Sequence, residues 1–583
     1  MDQAIQKRIE EWSRPPFDAE TIAEIKALAE RKDERELADR FYTTLEFGTG
    51  GLRGIIGAGT NRMNIHTVGM ATQGLANYLI KKGKQREGVV IARDSRRMSA
   101  DFAREAASIL SGNGIRVYFF EEITPTPLCS FAIRHLGAGS GIVITASHNP
   151  PEYNGYKVYW DDGGQIVPPF DREIIGEVKR IASIGEIEKA DFERARSSGM
   201  LRVIGDEILD TYLSRLEKAA LRPRAKSDIR IVYTPLHGTG HKIVPRVLRH
   251  FGFENLLMVE AQSSPDGSFP TVKSPNPEER DALAMAIELS IKEKADIFMA
   301  TDPDADRMGV GFRRPDGGYE IINGNQIGTM LEYYLLQRLS REGRLPANAA
   351  LVKTIVTTDL QERIAERFNC ATDNVLTGFK YIAMKMKEYE ESGERRFIFG
   401  GEESYGYLPV DFVRDKDAVS SCYFFAEMAD YLRGSGSSLH EFLREIYLEY
   451  GLYLEDLQSL TMKGMDGMER ISRIMSSFRK NPPGELAGIR CVRMDDVLNL
   501  VSTDRPGGKS TAIQGLPKSD VLQFFLEDGS KVTMRPSGTE PKIKFYFSVN
   551  DHVSADDLDS KRDTLRGKIE RLKSDLGAKI EAI

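Results

Sequence analysis

Cysteine is scarce in this 583-residue chain. Its four cysteines, Cys129, Cys370, Cys422 and Cys491, lie far apart in no metal-binding or redox spacing, which leaves reduced, buried thiols as the reading. Long apolar runs are missing: none approaches the ~20 residues that cross a bilayer, so a membrane role is not expected. Surplus positive charge is missing too. The formal net charge is −7, which argues against a nucleic-acid partner, because phosphate-backbone binding draws on excess Lys and Arg. It leaves room for a small phosphorylated ligand in a local basic pocket. The opening residues MDQAIQKRIEEWSRPPFD have no basic head followed by an apolar stretch, so no secretory signal is read there and a cytoplasmic location is expected. The chain is too long for one core; its length suggests roughly three to five domains.

What is present is a set of apolar strands that run into polar loops. In SGIVITASHNPPEYNGYKVYW, residues 140–160, Ile142, Val143 and Ile144 read as a buried strand. The Asn-Pro-Pro turn that follows continues neither strand nor helix, which places Ser147 where a strand ends. Open α/β sheets bind ligands at such points. Ser147 beside His148, with Lys157 ten residues on, supplies a nucleophilic oxygen, proton-transfer groups and a cation for phosphate. A turn whose side chains only bond the backbone fits that segment alone equally well.

Two further loops tip the balance. In TDPDADR, after Ile297, Phe298 and Met299, the carboxylates of Asp302, Asp304 and Asp306 repel one another unless a divalent cation or a counter-charge sits among them. A calcium loop of the EF-hand kind needs glycine at its sixth position and glutamate at its twelfth, where this chain has Arg307 and Arg313. In RPSGTEPK, Arg535 to Lys542, a cation, two hydroxyls and a glycine suit an anion. Earlier, FGTGGLRG gathers four glycines and Arg53 in a loop that could approach a phosphate, yet it matches neither the Walker pattern nor G-x-G-x-x-G.

Asp18 to Arg31 reads as an amphipathic helix capped by Asp18 and lying as a lid on the first sheet. Strands at 88–95, 114–120 and up to Ser147 alternate with helices at 99–111 and up to Leu136, and a helix runs from Arg172 to about Ile184. The alternation predicts βαβ units and a mainly parallel sheet. The plan repeats from DIRIVYTPLHGTG (228–240) to ADIFMATDPDAD. It recurs near Asn323, with a strand at 351–358, a helix at Leu360–Arg367 and the strand RRFIFGGEES. After Tyr450 antiparallel strands and a terminal helix at 553–579 predict an α+β domain. RGSGSS (433–438) and RPGGKS (505–510) read as flexible connections.

TASHNP, DPDADR, GEESYG (401–406) and RPSGTEPK, in this order, resemble the four signature loops of the α-D-phosphohexomutases. The wording GTGGLRG, TASHNPPEYNGYKVYWDDGG and TGFKYI is similar to the larger bacterial phosphoglucomutase and phosphomannomutase type. The resemblance implies an α/β fold of four domains around a central cleft: three similar α/β domains with mixed sheets (1–207, 208–322 and 323–453) and a C-terminal α+β domain (454–583). It implies an intramolecular phosphotransferase that interconverts glucose 1-phosphate and glucose 6-phosphate through a phosphoserine and glucose 1,6-bisphosphate, with mannose phosphate as an alternative substrate and a pentose phosphate a further one. One Mg2+ would sit on Asp302, Asp304 and Asp306 and a phosphate oxygen on Ser147, with Arg53 and Arg307 toward the phosphoryl group. Glu402 and Ser404 would take the sugar's 3- and 4-hydroxyls, Arg535, Ser537, Gly538 and Thr539 the idle phosphate, and Lys380 of LTGFKYI a phosphate or hydroxyl. Lys157, Lys416 and His148 are the candidates for proton transfer, and positive neighbours are expected to lower the pKa of such a lysine. Ser404, which phosphopentomutase relatives tend to lose, favours a hexose. The sequence assigns no oligomeric state.

Two other classes fit parts of this pattern. An aspartyl-phosphate enzyme built on Asp302 would carry a small or β-branched residue where this chain has Asp306. A non-catalytic sugar-phosphate sensor would have a broken site, whereas Ser147, the three aspartates, Glu402 and Arg535 are all present.

Overall fold

A computed structural model describes residues 2–45, 50–462, 465–505, 507–537 and 542–583. The chain falls into two compact units. The first is Met1–Gly324 with Ala383–Phe399 and Ser404–Tyr431; the second is Asn325–Ile382, Gly400–Glu403 and Leu432–Ile583. Among the described residues no helix is long and apolar enough to cross a membrane, and all four cysteines are free and buried.

In the first unit three short helices come first: α1 (Gln3–Trp12), α2 (Ala19–Glu30) and α3 (Glu34–Phe41). Asp18 caps α2 as the sequence predicts, accepting the N–H groups of Glu20 and Thr21 at 3.0 and 2.9 Å. The expectation of a lid on the sheet is corrected. Ile25 of α2 packs instead with Trp12, Leu37, Phe41 and Ala58, a small core built by the three helices and the loop that carries Ala58.

Six strands form the first sheet: β1 (Gly51–Ile55), β2 (Val89–Arg93), β3 (Val117–Phe120), β4 (Ser140–Ile144), β5 (Tyr153–Trp160) and β6 (Leu201–Ile204), in the order β1-β5-β4-β2-β3-β6. β4, β2, β3 and β6 are parallel, whereas β5 runs antiparallel to both β4 and β1. Three of the five pairings are parallel and two antiparallel, so the sheet is mainly parallel and also mixed, as the resemblance implies. The cause is local: residues 145–152 are too few for a parallel crossover, which takes a dozen or more. The chain turns back on itself at TASHNPPE. Helices α4 (Ile65–Lys81), α5 (Ser99–Gly112) and α6 (Thr126–Leu136) join the fold, and Leu75, Phe102 and Leu110 pack on Val89, Ile91, Ile142, Ile144 and Val158, all without exposed surface. Each such side chain contributes about 1.5–3 kcal/mol on burial.

The second sheet repeats the design. β7 (Ile231–Thr234), β8 (Leu256–Met258), β9 (Ile297–Thr301), β10 (Met308–Arg313) and β11 (Tyr319–Ile322) lie in the order β11-β10-β9-β7-β8. β9 is parallel to β7 and antiparallel to β10, with Thr301 opposite Met308, so residues 302–307 make the turn of a hairpin. In both sheets a buried parallel strand delivers a polar loop and the next strand returns beside it.

In the second unit β12 (Ala349–Thr354) and β13 (Ala371–Val375) pair in parallel across the predicted helix Leu360–Arg367; of β14 (Arg396–Glu402), the end from Gly400 to Glu402 belongs to this unit. The C-terminal sheet is antiparallel and takes up the chain at Leu452, since Leu452–Thr461 pairs along Lys542–Asp551. The strands Lys531–Pro536 and Lys542–Asp551 pair with Arg535 opposite Lys544 and bracket RPSGTEPK; Gly538 and Thr539 lie outside the described residues. RPGGKS does not connect domains: it joins two antiparallel strands, Val501–Asp504 and Ser510–Ala512. RGSGSS links the helices Ala418–Gly434 and Leu439–Tyr450, the second capped by Ser438.

Candidate active site

Ser147 lies three residues beyond the end of β4, in the left-handed region at φ 51° and almost wholly buried. A non-glycine residue rarely adopts that conformation, which costs of order 1–3 kcal/mol and marks a position held by its surroundings. The holding groups are visible. Thr145 Oγ1 accepts the Ser147 N–H at 2.8 Å, and Arg96 Nη2 donates to the Ser147 carbonyl at 2.6 Å. The same guanidinium donates through Nη1 to the carbonyls of Pro150 and Tyr153 at 2.9 and 3.0 Å, and through Nη2 to that of Asn149. Asp94 fixes it from below: its Oδ1 accepts the Arg96 N–H and the Ser99 hydroxyl, and its Oδ2 lies 3.3 Å from Arg96 Nε.

So held, the Ser147 hydroxyl donates to Asp302 Oδ2 at 2.6 Å and lies 3.2 Å from His148 Nδ1. Asp302 Oδ1 is occupied by the N–H groups of Asp306 and Arg307, both at 3.0 Å, which pins the loop after β9. Asp304 receives the Thr126 hydroxyl at 2.9 Å on Oδ2, and its carbonyl accepts the Thr126 N–H at 2.9 Å, so the start of α6 fixes this aspartate twice. Lys157 Nζ donates to Asp304 Oδ2 at 2.8 Å and to Asp306 Oδ2 at 3.4 Å. Lys416 Nζ sits 3.2 Å from Asp306 and 3.4 Å from Asp415. Arg307 pairs with Glu278 and lies 3.9 Å from Asp306.

Burial pushes the Asp302 carboxyl well above the usual carboxylate range, and the charges of Asp306 and Asp304 add to this. Asp306 goes the other way: burial would raise it, but Lys416, Lys157 and Arg307 outweigh burial and lower it. The expected drop in a catalytic lysine's pKa is corrected for Lys157. Burial works to lower it, yet the carboxylates of Asp304 and Asp306 prevail and raise it. Burial holds the His148 imidazole well below its usual range, reinforced by Arg307 and Arg53, so the ring is neutral.

The three aspartates offer one oxygen each, all within 4.8 Å of one another, and all three are buried. Asp304 Oδ1 and Asp306 Oδ1 are buried without a hydrogen-bond partner. Orphaned carboxylate oxygens in such a cage fit a hard divalent cation, and the absence of Cys and His from the set disfavours zinc.

Arg53 is exposed on β1, opposite Gly155 of β5, and donates to Asn149 Oδ1 at 3.3 Å, which puts it on the serine loop. The first unit thus gathers Ser147, His148, Lys157, the three aspartates, Arg307, Lys416 and Arg53. Ser404 also belongs to this unit. His237, by contrast, is a structural residue: its ring nitrogens meet the Ser264 carbonyl and the Thr271 hydroxyl at 3.1 and 2.9 Å. Sequence reasoning missed Arg96, Asp94 and Thr126. The signal was there for the first two, since ARDSR, residues 92–96, also closes an apolar strand with polar residues.

The second unit carries Glu402, Lys380, Arg535 and Ser537. Glu402 is buried and accepts the Gly378 N–H at 2.8 Å, which ties the GEES segment to LTGFKYI. Lys380 is buried, with its ammonium 5.2 Å from the Tyr381 ring. Ser537 donates its N–H to the Lys542 carbonyl at 2.7 Å. Burial raises the Tyr546 phenol, the charges of Glu403 and Glu402 add to this and Arg535 opposes it, so Tyr546 stands among both loops.

Four domain families match the chain: phosphoglucomutase/phosphomannomutase alpha/beta/alpha domains I, II and III at residues 44–184, 210–317 and 323–450, and the C-terminal domain of the same family at 492–564. A phosphoglucomutase of Staphylococcus haemolyticus is 37% identical over 510 residues, 88% of this chain and 91% of that protein. A phosphoglucomutase of Staphylococcus aureus is 36% identical over 526 residues, 90% and 93% of the two chains. Among solved structures, a putative phosphomannomutase from Thermus thermophilus shares the fold with a TM-score of 0.67 at 24% identity, over 92% of this chain and 99% of that one. The open form of a Paramecium phosphoglucomutase does so with a TM-score of 0.65 at 16% identity, over 91% and 95%.

Proposed function

The chain belongs to the phosphoglucomutase/phosphomannomutase family, and we propose that it is a phosphoglucomutase, interconverting glucose 1-phosphate and glucose 6-phosphate by way of a phosphorylated Ser147. The observation that carries this reading is the Ser147 hydroxyl at 2.6 Å from Asp302, in a cage of three buried aspartates. Relatives 36–37% identical over most of the chain carry that name.

In the forward half-reaction the bond from phosphorus to Ser147 Oγ breaks, a bond from phosphorus to a sugar hydroxyl oxygen forms, and the proton of that hydroxyl passes to a neighbouring base. The product is glucose 1,6-bisphosphate. After it turns end for end, the Ser147 oxygen accepts the other phosphoryl group and the released sugar oxygen regains a proton. His148, neutral and 3.2 Å from the serine oxygen, and the lysines Lys157 and Lys416 are assigned to these proton transfers. Arg53 and Arg307 supply positive charge around the moving phosphoryl group, where such charge lowers the barrier. Asp302, Asp304 and Asp306 would hold a Mg2+ ion, whose chemistry there is neutralisation of phosphate charge.

The turn requires contacts that accept the bisphosphate in both orientations. Glu402 and Ser404 are assigned to ring hydroxyls, and Lys380 to a phosphate or hydroxyl. Arg535, Ser537, Gly538 and Thr539 are assigned to the idle phosphate, for which a planar guanidinium fork and backbone donors are suited.

The test is turnover of glucose, mannose, glucosamine and ribose 1-phosphates with catalytic bisphosphate and Mg2+ present. The reading predicts the highest kcat/KM for glucose and near-complete loss in Ser147→Ala. A preference for mannose would move the protein to the other branch of the family, and full activity in Ser147→Ala would end the serine mechanism.

A further inference from the structure

Glu403 has no part in the chemistry above, yet its side chain is tied to a neighbouring segment. It follows Glu402 at the end of β14. While Glu402 meets the Gly378 N–H, Glu403 Oε2 accepts the Thr354 hydroxyl at 3.1 Å and lies 3.5 Å from that of Thr357. These threonines also hold each other. Their oxygens are 2.8 Å apart, and the Thr357 N–H donates to Thr354 Oγ1 at 3.2 Å.

The segment they belong to is stitched to the C-terminal sheet. Gln523 Nε2 donates to the Ile355 carbonyl and to Thr533 Oγ1, both at 3.0 Å. Lys531 Nζ donates to both Asp359 oxygens at 2.8 Å. Ile355 and Val356 pack with Val497, Val521 and Tyr546. Lys531, Thr533 and Arg535 alternate along one strand and so share a face. The strand that ends in the phosphate loop is thus fastened to the segment on which Glu403 rests.

We propose that Glu403 is a positioning residue which, through the Thr354–Thr357 hydroxyl pair, sets the separation between Glu402 and Arg535. This rests on the roles given to Glu402 and Arg535 under the proposed function. A sugar bisphosphate that must bind both ways round needs its ring contact and its idle-phosphate contact at one fixed spacing, and misplacement by about 1 Å can cost a hundredfold in rate.

The charged and titratable groups around Glu403 are Glu402, Lys544 and Tyr546, with Arg535 behind the tyrosine. Burial pushes the Glu403 carboxyl up to about 7; Glu402 adds to this, while Lys544 and the Thr354 hydroxyl oppose it. The carboxyl accepts from the threonines in either state, but only the ionised form attracts Lys544 and repels Glu402, so the spacing carries a pH signature.

The experiment is steady-state kinetics with glucose 1-phosphate between about pH 6 and 8, spanning the carboxyl's titration, for the wild type, Glu403→Gln, Thr354→Val and the double variant. Glu403→Gln keeps an acceptor oxygen and a neutral shape; it is expected to hold kcat within about threefold and to lose the part of the KM profile centred near 7. Thr354→Val is expected to raise KM roughly tenfold with a smaller change in kcat, and the double variant to be no worse than the worse single, as residues of one network behave. A Glu403→Gln profile identical to wild type, or strictly additive effects in the double variant, overturns the proposal. A wild type inactive on glucose 1-phosphate would instead overturn the proposed function, so the two failures are distinguishable.

Discussion

Arg96 donates to the Ser147 carbonyl at 2.6 Å while Asp94 lies 3.3 Å from its Nε, so one buried arginine, itself anchored by an acid, shapes the loop of the nucleophile. The arrangement separates geometry from chemistry: Arg96 bonds the backbone carbonyls of the turn and leaves the Ser147 hydroxyl to Asp302.

Replacing Arg96 tests that separation. Arg96→Lys keeps the charge but cannot reach four carbonyls with one ammonium, and kcat is expected to fall by about a hundredfold. Arg96→Ala leaves Asp94 buried and unpaired, which destabilises by roughly 3–5 kcal/mol and is read as a lowered denaturation midpoint. Full activity in Arg96→Lys would show that the left-handed serine holds itself.

Thr126 reaches the metal cage without entering it. Thr126→Val preserves shape and removes the donor to Asp304 Oδ2. Partners of this kind orient the carboxylate, and their loss costs about 10–100-fold in metal affinity. Titration of the metal-free protein with Mg2+, followed by thermal shift, checks this; an unchanged apparent Kd would remove Thr126 from the site.

Gly406 is the floor under Lys416. A Cβ added there would lie 2.0 Å from Lys416 Cδ and 2.7 Å from its Cγ. Gly406→Ala is therefore expected to displace the lysine, lowering kcat at least tenfold, the scale of a lost proton-transfer or charge contact, while far-UV circular dichroism is retained. Wild-type kcat in this variant would argue that Lys416 does not act at the reaction centre.

Glu455 gives a pH prediction away from the site. Burial pushes its carboxyl up to about 7, against the Thr358 hydroxyl, which works to lower it. A carboxyl raised in the folded state contributes stability that is fully present below the unfolded value of 4.5 and is lost as pH rises through about 7. The span amounts to about 3 kcal/mol. Denaturant unfolding of Glu455→Gln is expected to be flatter than wild type over that window, and equal slopes would refute the assignment.

Much of this was readable from the residues. The apolar runs Ile142–Ile144 and Ile297–Met299 end in polar loops, and those loops carry Ser147 and the aspartate cage. The helix Leu360–Arg367 and the Asp18 cap fall where pattern and capping chemistry place them. What was unreadable depends on which strands become neighbours. Arg96 and Ser147 are 51 positions apart, and only the pairing of β2 with β4 brings them together. The return of β5 beside β4 depends on turn length rather than on periodicity, so the alternation of strands and helices reads only the parallel part of the sheet. The sign of the Lys157 shift is a balance between burial and two carboxylates from the other sheet, which local sequence does not encode.

Intact-mass analysis of the protein after incubation with glucose 1,6-bisphosphate is the decisive measurement. The serine-relay account predicts a species heavier by one phosphoryl group, mapped to Ser147, absent from Ser147→Ala and discharged by adding glucose 1-phosphate. An added phosphoryl group that persists in Ser147→Ala, or that maps to an acid-labile aspartate such as Asp302, would contradict it.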